Sequence, residues 1–157
     1  MRKPWLLMID DCPGDALLMR LAFRRGGIDL EFELEASAET GLARLAACVR
    51  QDTPLPDVVL CDLNLPKMSG LGLLAILKSD PDLCRLPVII CSSSSATVDI
   101  EGSLAGRSDG YMTKPMGLKG YDSIVRTLAH DWLFDPSDPH VAARAINQND
   151  RAWRLTA

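Results

Sequence analysis

The 157-residue sequence predicts an open α/β fold, a parallel sheet with helices on both faces. Three observations predict it. Five short apolar runs recur at intervals that leave room for a helix between them. Four of them are continuous rather than alternating, as parallel strands covered on both faces must be. The intervening segments carry apolar residues at helical spacing and end at glycine, proline or aspartate breaks.

The first run, Trp5–Ile9, stops at Asp10-Asp11, so it reads as a strand and is too short for a signal-peptide core. A helix over 14–25 follows, with Leu17, Leu18, Leu21 and Ala22 on its apolar side and Gly26-Gly27 as its stop. Glu31–Ala36 alternates with charge, which suits an edge strand with one face in water. The helix over 38–49 puts Ala38, Leu42, Leu45, Ala46 and Val49 on one stripe. Val58–Cys61 and Val88–Cys91 read as buried strands, with a short helix, Leu71–Leu77, ending before Ser79-Asp80-Pro81. Thr97–Ala105 is the weakest helix, with Gly102 inside it and Gly106 after it. Gly110–Thr113 is a weaker fifth strand, also read as buried. The last helix, over 118–133, carries Tyr121, Val125, Leu128 and Trp132, and Ile124 and Ala129 widen its stripe. Asp135-Pro136-Ser137-Asp138-Pro139 then breaks the chain. The reading therefore divides the protein into a domain, 1–134, and a C-terminal tail, 135–157, in which Val141–Ile146 can form a short helix or a dimer arm.

Composition narrows the function classes. With 47% apolar residues the chain can build a real core. Its 17 Lys+Arg against 21 Asp+Glu leave a net charge of −4, which gives no basic face for nucleic acid or anionic membrane. No apolar run approaches the ~18 residues of a membrane span. The five cysteines form no C-x-x-C pair, so buried free thiols in a cytoplasmic, reducing compartment are expected. Two histidines without ligand-like spacing make no zinc site.

In an open parallel sheet the site lies at the carboxyl ends of the strands, near the switch in strand order. Those ends are Asp10-Asp11, Asp62, Ser92 and the Lys114 that follows the fifth strand. Three carboxylates on one rim must either protonate in part or share a cation. An all-oxygen donor set selects a hard ion such as Mg²⁺. Such an ion and Lys114 would together draw a phosphate group, and a carboxylate between them can attack phosphorus to give an acyl phosphate. Asp62, at the end of a buried central strand, is the candidate nucleophile, with Asp10 and Asp11 as metal ligands. The plainer reading of Asp10-Asp11 is a helix cap, with Asp15 as a rival for that role. The plainer reading of Lys114 is a solvated surface lysine, although Pro115 restricts its backbone and admits either peptide isomer.

Four segments carry a family resemblance: Asp10-Asp11, Asp62-Leu63-Asn64-Leu65-Pro66-Lys67-Met68-Ser69-Gly70, Pro87–Ser92 and Tyr111-Met112-Thr113-Lys114-Pro115. In that order the chain, over about 4–133, resembles a CheY-like response-regulator receiver domain. The Asp62–Gly70 stretch, with Ser92-Ser93-Ser94 and Asp99-Ile100, resembles in particular the small stand-alone regulators paired with phytochrome-type histidine kinases. The resemblance implies a flavodoxin-like doubly wound (βα)5 fold with strand order 2-1-3-4-5. It also implies a phosphoacceptor rather than an enzyme. Asp62 would take phosphate from a kinase phosphohistidine, Asp10 and Asp11 would bind Mg²⁺ with Asp62, and Asn64 would lend its backbone carbonyl. Ser92 and Lys114 would hold the phosphoryl group. Tyr111 would be the aromatic that follows Ser92 inward, switching the surface of the fourth helix, fifth strand and fifth helix for protein contacts.

Ser92 stands where threonine is more frequent, and Arg107-Ser108 where a small apolar residue is common. Ser93, Ser94 and Ser95 read as loop and cap. That switching surface would mediate partner contacts or a homodimer, while Trp132, Leu133 and Phe134 either add to it or cap the core. Three other functions compete. A haloacid-dehalogenase-type aspartyl phosphatase wants an acid two residues past its nucleophile, where Asn64 stands. A flavodoxin-type nucleotide or flavin module wants a Gly/Ser/Thr-rich first loop rather than three carboxylates. A receiver-like scaffold would bind partners without phosphorylation.

Overall fold

The structure, a computed structural model, describes residues 2–134. Strands and helices alternate throughout: β1 (Trp5–Ile9), α1 (Pro13–Arg25), β2 (Glu31–Glu35), α2 (Ala38–Gln51), β3 (Val58–Cys61), α3 (Gly70–Ser79), β4 (Val88–Ser92), α4 (Thr97–Ala105), β5 (Gly110–Thr113) and α5 (Leu118–Leu128). The strands pair in parallel in the order β2-β1-β3-β4-β5. The expected fold class and strand order are both present. The expected tail, with its helix at Val141–Ile146, lies outside the described residues.

Each strand of the sheet's centre splits its side chains between two cores. Leu6, Met8, Val58 and Leu60 face α1 and α5, where Met19, Phe23, Tyr121, Val125 and Leu128 meet them. Leu7, Ile9, Val59 and Ile90 face α2 and α3, against Leu45, Leu73, Leu74 and Leu77. This two-sided burial is why β1, β3 and β4 are apolar throughout. β2 is an edge strand and only half buried, as its alternation predicts. β5 corrects the reading. It occupies the opposite edge, so Gly110–Thr113 is half buried rather than covered.

Helix faces show where periodicity misled. On α1 the buried residues are Ala16, Met19, Ala22 and Phe23, while Leu17 is 57% exposed. The expected stripe of Leu17, Leu18 and Leu21 is displaced because α1 packs on both the sheet and α5, and that double contact sets the arc. On α2 the buried set is Ala38, Gly41, Leu45 and Cys48, with Val49 exposed. The helix expected over 118–133 changes character after Leu128. Ala129–Leu133 forms one π turn, closed by the Phe134 N–H donating to the Ala129 carbonyl at 3.1 Å. Leu133 is buried there, with Trp132 and Phe134 packed against the α1/α5 core, so these three cap the core. Cys48, Cys61 and Cys91 are buried free thiols as expected, whereas Cys12 is exposed and Cys84 half-buried.

One buried charge was not legible in the sequence. Lys78, at the end of α3, pairs with Asp109 at 2.9 Å and donates to the Leu86 carbonyl at 3.1 Å. Asp109 also accepts from the Val88 N–H at 2.8 Å, and Arg107 donates to the Lys78 carbonyl at 2.8 Å. Arg107 thereby finds the partner its sequence context did not reveal, at a left-handed φ of 65°. Together these bonds tie α3 to the entry of β4 and the α4–β5 turn. Among the described residues no helix is long and apolar enough to cross a membrane.

Asp109→Ala is expected to lower unfolding free energy by about 2 kcal/mol, because it strands a buried ammonium while Lys78 keeps its carbonyl partners. Urea denaturation followed by circular dichroism measures this. An unchanged midpoint would show that the pair is dispensable.

Candidate metal and anion site

Strand register builds the site. Ile9 pairs with Cys61, so the residues that follow them, Asp10 and Asp62, emerge side by side at the carboxyl edge. The Asp62 N–H donates to the Ile9 carbonyl at 2.9 Å and fixes that neighbourhood. Ser92 pairs with Thr113, and the Lys114 N–H donates to the Ser92 carbonyl at 2.7 Å. The edge between β1 and β3 is where strand order reverses, the expected place for a ligand.

Two glycines allow the loops to close on these residues. A Cβ on Gly70 would stand 2.2 Å from the Asp62 carbonyl oxygen, so only glycine lets α3 begin against the end of β3. A Cβ on Gly120 would stand 2.2 Å from that of Pro115, so α5 approaches the residue directly behind Lys114. The Asp62–Gly70 loop is held further by Glu39 of α2, which accepts from the Met68 N–H at 3.2 Å. The Lys114–Pro115 bond is trans, like every peptide bond among the described residues.

The Lys114 side chain is 9% exposed, not a solvated surface group. Its ammonium lies 2.7 Å from Asp10 Oδ2, 2.8 Å from Asp15 Oδ2 and 3.1 Å from Asp62 Oδ2. Burial disfavours its charge, but the carboxylates of Asp10 and Asp15, then Asp62, outweigh this and hold its pKa above the usual lysine value. Burial raises the Asp10 pKa, against the opposing pull of Lys114 and the Cys12 N–H. The Cys12 N–H donates to Asp10 Oδ1 at 2.9 Å, whereas Asp10 Oδ2 is buried without a hydrogen bond despite the close ammonium. Neither aspartate caps α1: its N-cap is Cys12, and no side chain supplies the cap. Burial likewise pushes the Cys91 thiol up to about 12, and drives Cys61 still further in that direction, so both stay protonated and unreactive.

The sequence-predicted ligands converge. Asp10, Asp11 and Asp62 each offer a carboxylate oxygen within 4.8 Å of the others. Three hard donors and an incompletely bonded buried carboxylate oxygen fit a divalent cation. Asn64 is exposed, and its N–H approaches Asp62 Oδ1 at 3.4 Å. Ser92 is fully buried at the end of β4, its Oγ accepting from the Ser94 N–H at 3.3 Å. Tyr111 is half-buried against the α2/α3 core, its hydroxyl donating to the Ser94 carbonyl at 2.6 Å. Ser94 also accepts from the Ala96 N–H at 3.2 Å and donates to Asp99, which fits the loop reading of these serines, but the cap reading is corrected: Ala96 is the N-cap of α4 and no side chain caps it. Sequence reasoning missed Asp15 as a partner of Lys114. Its signal was its place one helical turn past Asp11, at the start of α1.

Four carboxylates gather at this edge of the sheet, three of them in contact with one ammonium, and the donor set suits a divalent cation. Comparison supplies the particular family: the chain belongs to the response regulator receiver domains, whose family model matches residues 6–126. Members act in two-component signalling with histidine kinases, bind a divalent metal and are generally not classical enzymes. Response regulator Rcp1 of Synechocystis is 32% identical over 132 residues, spanning 82% of this chain and 88% of that protein. The crystal structure of the Mn(2+)-bound form of Rcp1 superposes with a TM-score of 0.72 at 29% identity, covering 84% of this chain and 95% of that one. The phosphorylated cyanobacterial phytochrome response regulator RcpA gives 0.75 at 30% identity, covering 83% and 94%. Response regulator RPA3017, in red light signaling of R. palustris, gives 0.75 at 28% identity, covering 82% and 93%.

Titrating in a divalent ion is expected to raise the thermal midpoint. The gain reaches about 2.7 kcal/mol at a hundredfold excess over the dissociation constant, and Asp11→Asn should remove most of it. Scanning calorimetry reads both. A midpoint insensitive to metal would contradict the donor set.

Proposed function

We propose that Asp62 accepts a phosphoryl group from the phosphohistidine of a sensor kinase, with Mg²⁺ as the metal. Carrying the reading is the meeting of Asp62, Asp10 and Lys114 at the switch point of the sheet. Asp10, Asp11, Asp62 and the Asn64 carbonyl would hold Mg²⁺, whose charge would offset the crowded carboxylates and polarise the incoming phosphoryl group. An Asp62 oxygen forms the new O–P bond as the N–P bond to the donor histidine breaks, and the imidazole leaves with the bonding pair. The Lys114 ammonium takes one phosphoryl oxygen. The Ser92 hydroxyl donates to another by moving toward Asp62, which draws on Ser94 and thus on the loop that Tyr111 grips.

That loop leads into α4, whose only buried residue is Ser103. Few apolar contacts hold it, so a modest pull can shift it. Val98 and Leu104 on α4 are 73% and 58% exposed. We assign the α4-β5-α5 surface as the switched contact face, with a homodimer as one outcome. On the other flank, exposed Leu17 and Met116 lie two residues past Asp15 and Lys114, an apolar pair suited to a kinase surface. The named relatives favour a phytochrome-type kinase as donor. The same reading carries a cytoplasmic setting, no enzymatic turnover, no nucleic-acid partner, and a receiver unit ending at Phe134.

Incubation with Mg²⁺ and acetyl phosphate is expected to add one phosphoryl group by intact mass, and Asp62→Asn to abolish the addition. No addition to the unaltered protein would favour the phosphorylation-independent scaffold. Light scattering with and without beryllofluoride tests association. Only monomer under both conditions would remove the dimer.

A further inference from the structure

Lys114 and Asp15 are 99 residues apart in sequence and 2.8 Å apart in space. Three carboxylates surround the ammonium, which donates to Asp15 and Asp62 and stands in ion-pair contact with Asp10. If Asp62 is the phosphoacceptor, two of those neighbours acquire other partners: Asp10 is committed to the cation and Asp62 to phosphorus. Asp15 has neither assignment. It is also the most exposed of the three, with its side chain 27% accessible against 1% for Asp10 and 10% for Asp62.

We propose that Asp15 is a positioning residue that keeps the Lys114 ammonium at the rim, aimed at the phosphoryl group, while its other two carboxylates are engaged elsewhere. This rests on the Asp62 reading and extends it.

The scaffold makes such an anchor stiff. Asp15 sits in the first turn of α1, directly after Pro13 and Gly14. α1 packs along α5 through the shared core and through Arg25–Asp122 at 3.2 Å. Lys114 is followed by Pro115, against which Gly120 of α5 closes. Both ends of the pair are therefore referenced to the same α1/α5 layer. A long, flexible lysine stem loses orientation once its anchors leave, and a fixed carboxylate prevents this at little entropic cost.

The sign of the effect separates positioning from charge alone. A further negative group near an incoming phosphate repels it, so on electrostatics alone Asp15→Asn speeds phosphorylation. On the positioning account it slows phosphorylation by about tenfold, the loss of a charge-assisted bond to the ammonium. The test measures the acetyl phosphate reaction by intact mass over time with saturating Mg²⁺. It compares the unaltered protein with Asp15→Asn, Asp15→Glu, Lys114→Ala and the double variant Asp15→Asn/Lys114→Ala. Beryllofluoride affinity provides a second readout without a covalent step, and thermal melts check the fold.

Expected are slower labelling and weaker beryllofluoride binding in Asp15→Asn, partial recovery in Asp15→Glu, and less than about a twofold effect of Asp15→Asn once Lys114 is absent. Equal or faster labelling of a folded Asp15→Asn overturns the proposal and leaves the Asp62 reading intact. So does an undiminished effect in the Lys114→Ala background. Failure of the unaltered protein to be labelled overturns the Asp62 reading, and the positioning role with it.

Discussion

One ammonium stands among four carboxylates, and this imbalance governs the site. Lys114 touches Asp10, Asp15 and Asp62, and Asp11 completes the acidic group. At an effective dielectric of about 20, opposite charges about 4 Å apart gain about 4 kcal/mol, and like charges lose as much. A single cation cannot cancel four anions, so the resting site is electrostatically incomplete. The arrangement suits a divalent ion and an anionic ligand that Lys114 can grip. Receiver chemistry follows from that deficit rather than from any unusual side chain.

The deficit is tolerated because the backbone is fixed elsewhere. β1 and β3 have residues buried on both faces, and their register sets Asp10 beside Asp62. The amino-terminal edge of the sheet carries the opposite device. There Lys78 is buried with its charge paired and hydrogen-bonded, pinning α3, β4 and the α4–β5 turn. A satisfied buried ion at one end holds the frame on which an unsatisfied cluster at the other end can persist.

Between these ends lies the part suited to move. α4 buries only Ser103, and its approach to α3 relies on Gly106, where a Cβ would meet Leu74 Cδ2 at 2.8 Å. Its leading loop is gathered on Ser94, which receives the Tyr111 hydroxyl, contacts Asp99 and donates its N–H to Ser92. On the proposed reading, a change at Asp62 has a short route through Ser92 and Ser94 to an exposed apolar face. Gly102 inside this helix and Gly106 at its C-cap read in the sequence as weakness, and Gly106 also leaves room for the Leu74 side chain.

The sequence alone determined the alternation of strands and helices, the edge character of β2, and the rim residues Asp10, Asp11, Asp62, Ser92 and Lys114. Those features are local: continuous apolar runs mark covered strands, and the residue after a strand lands at its carboxyl edge. Only the tertiary structure decided which arc of α1 is buried, that β5 is a half-buried edge, that α5 ends in a π turn, and that Trp132, Leu133 and Phe134 cap the core. It also revealed the Lys78–Asp109 pin and the grip of Asp15 on Lys114. These depend on which distant segments meet. A carboxylate 99 residues from its lysine carries no periodicity that could announce the pairing, because burial and charge balance are set by the packing of α1 on α5 rather than by neighbours in the chain.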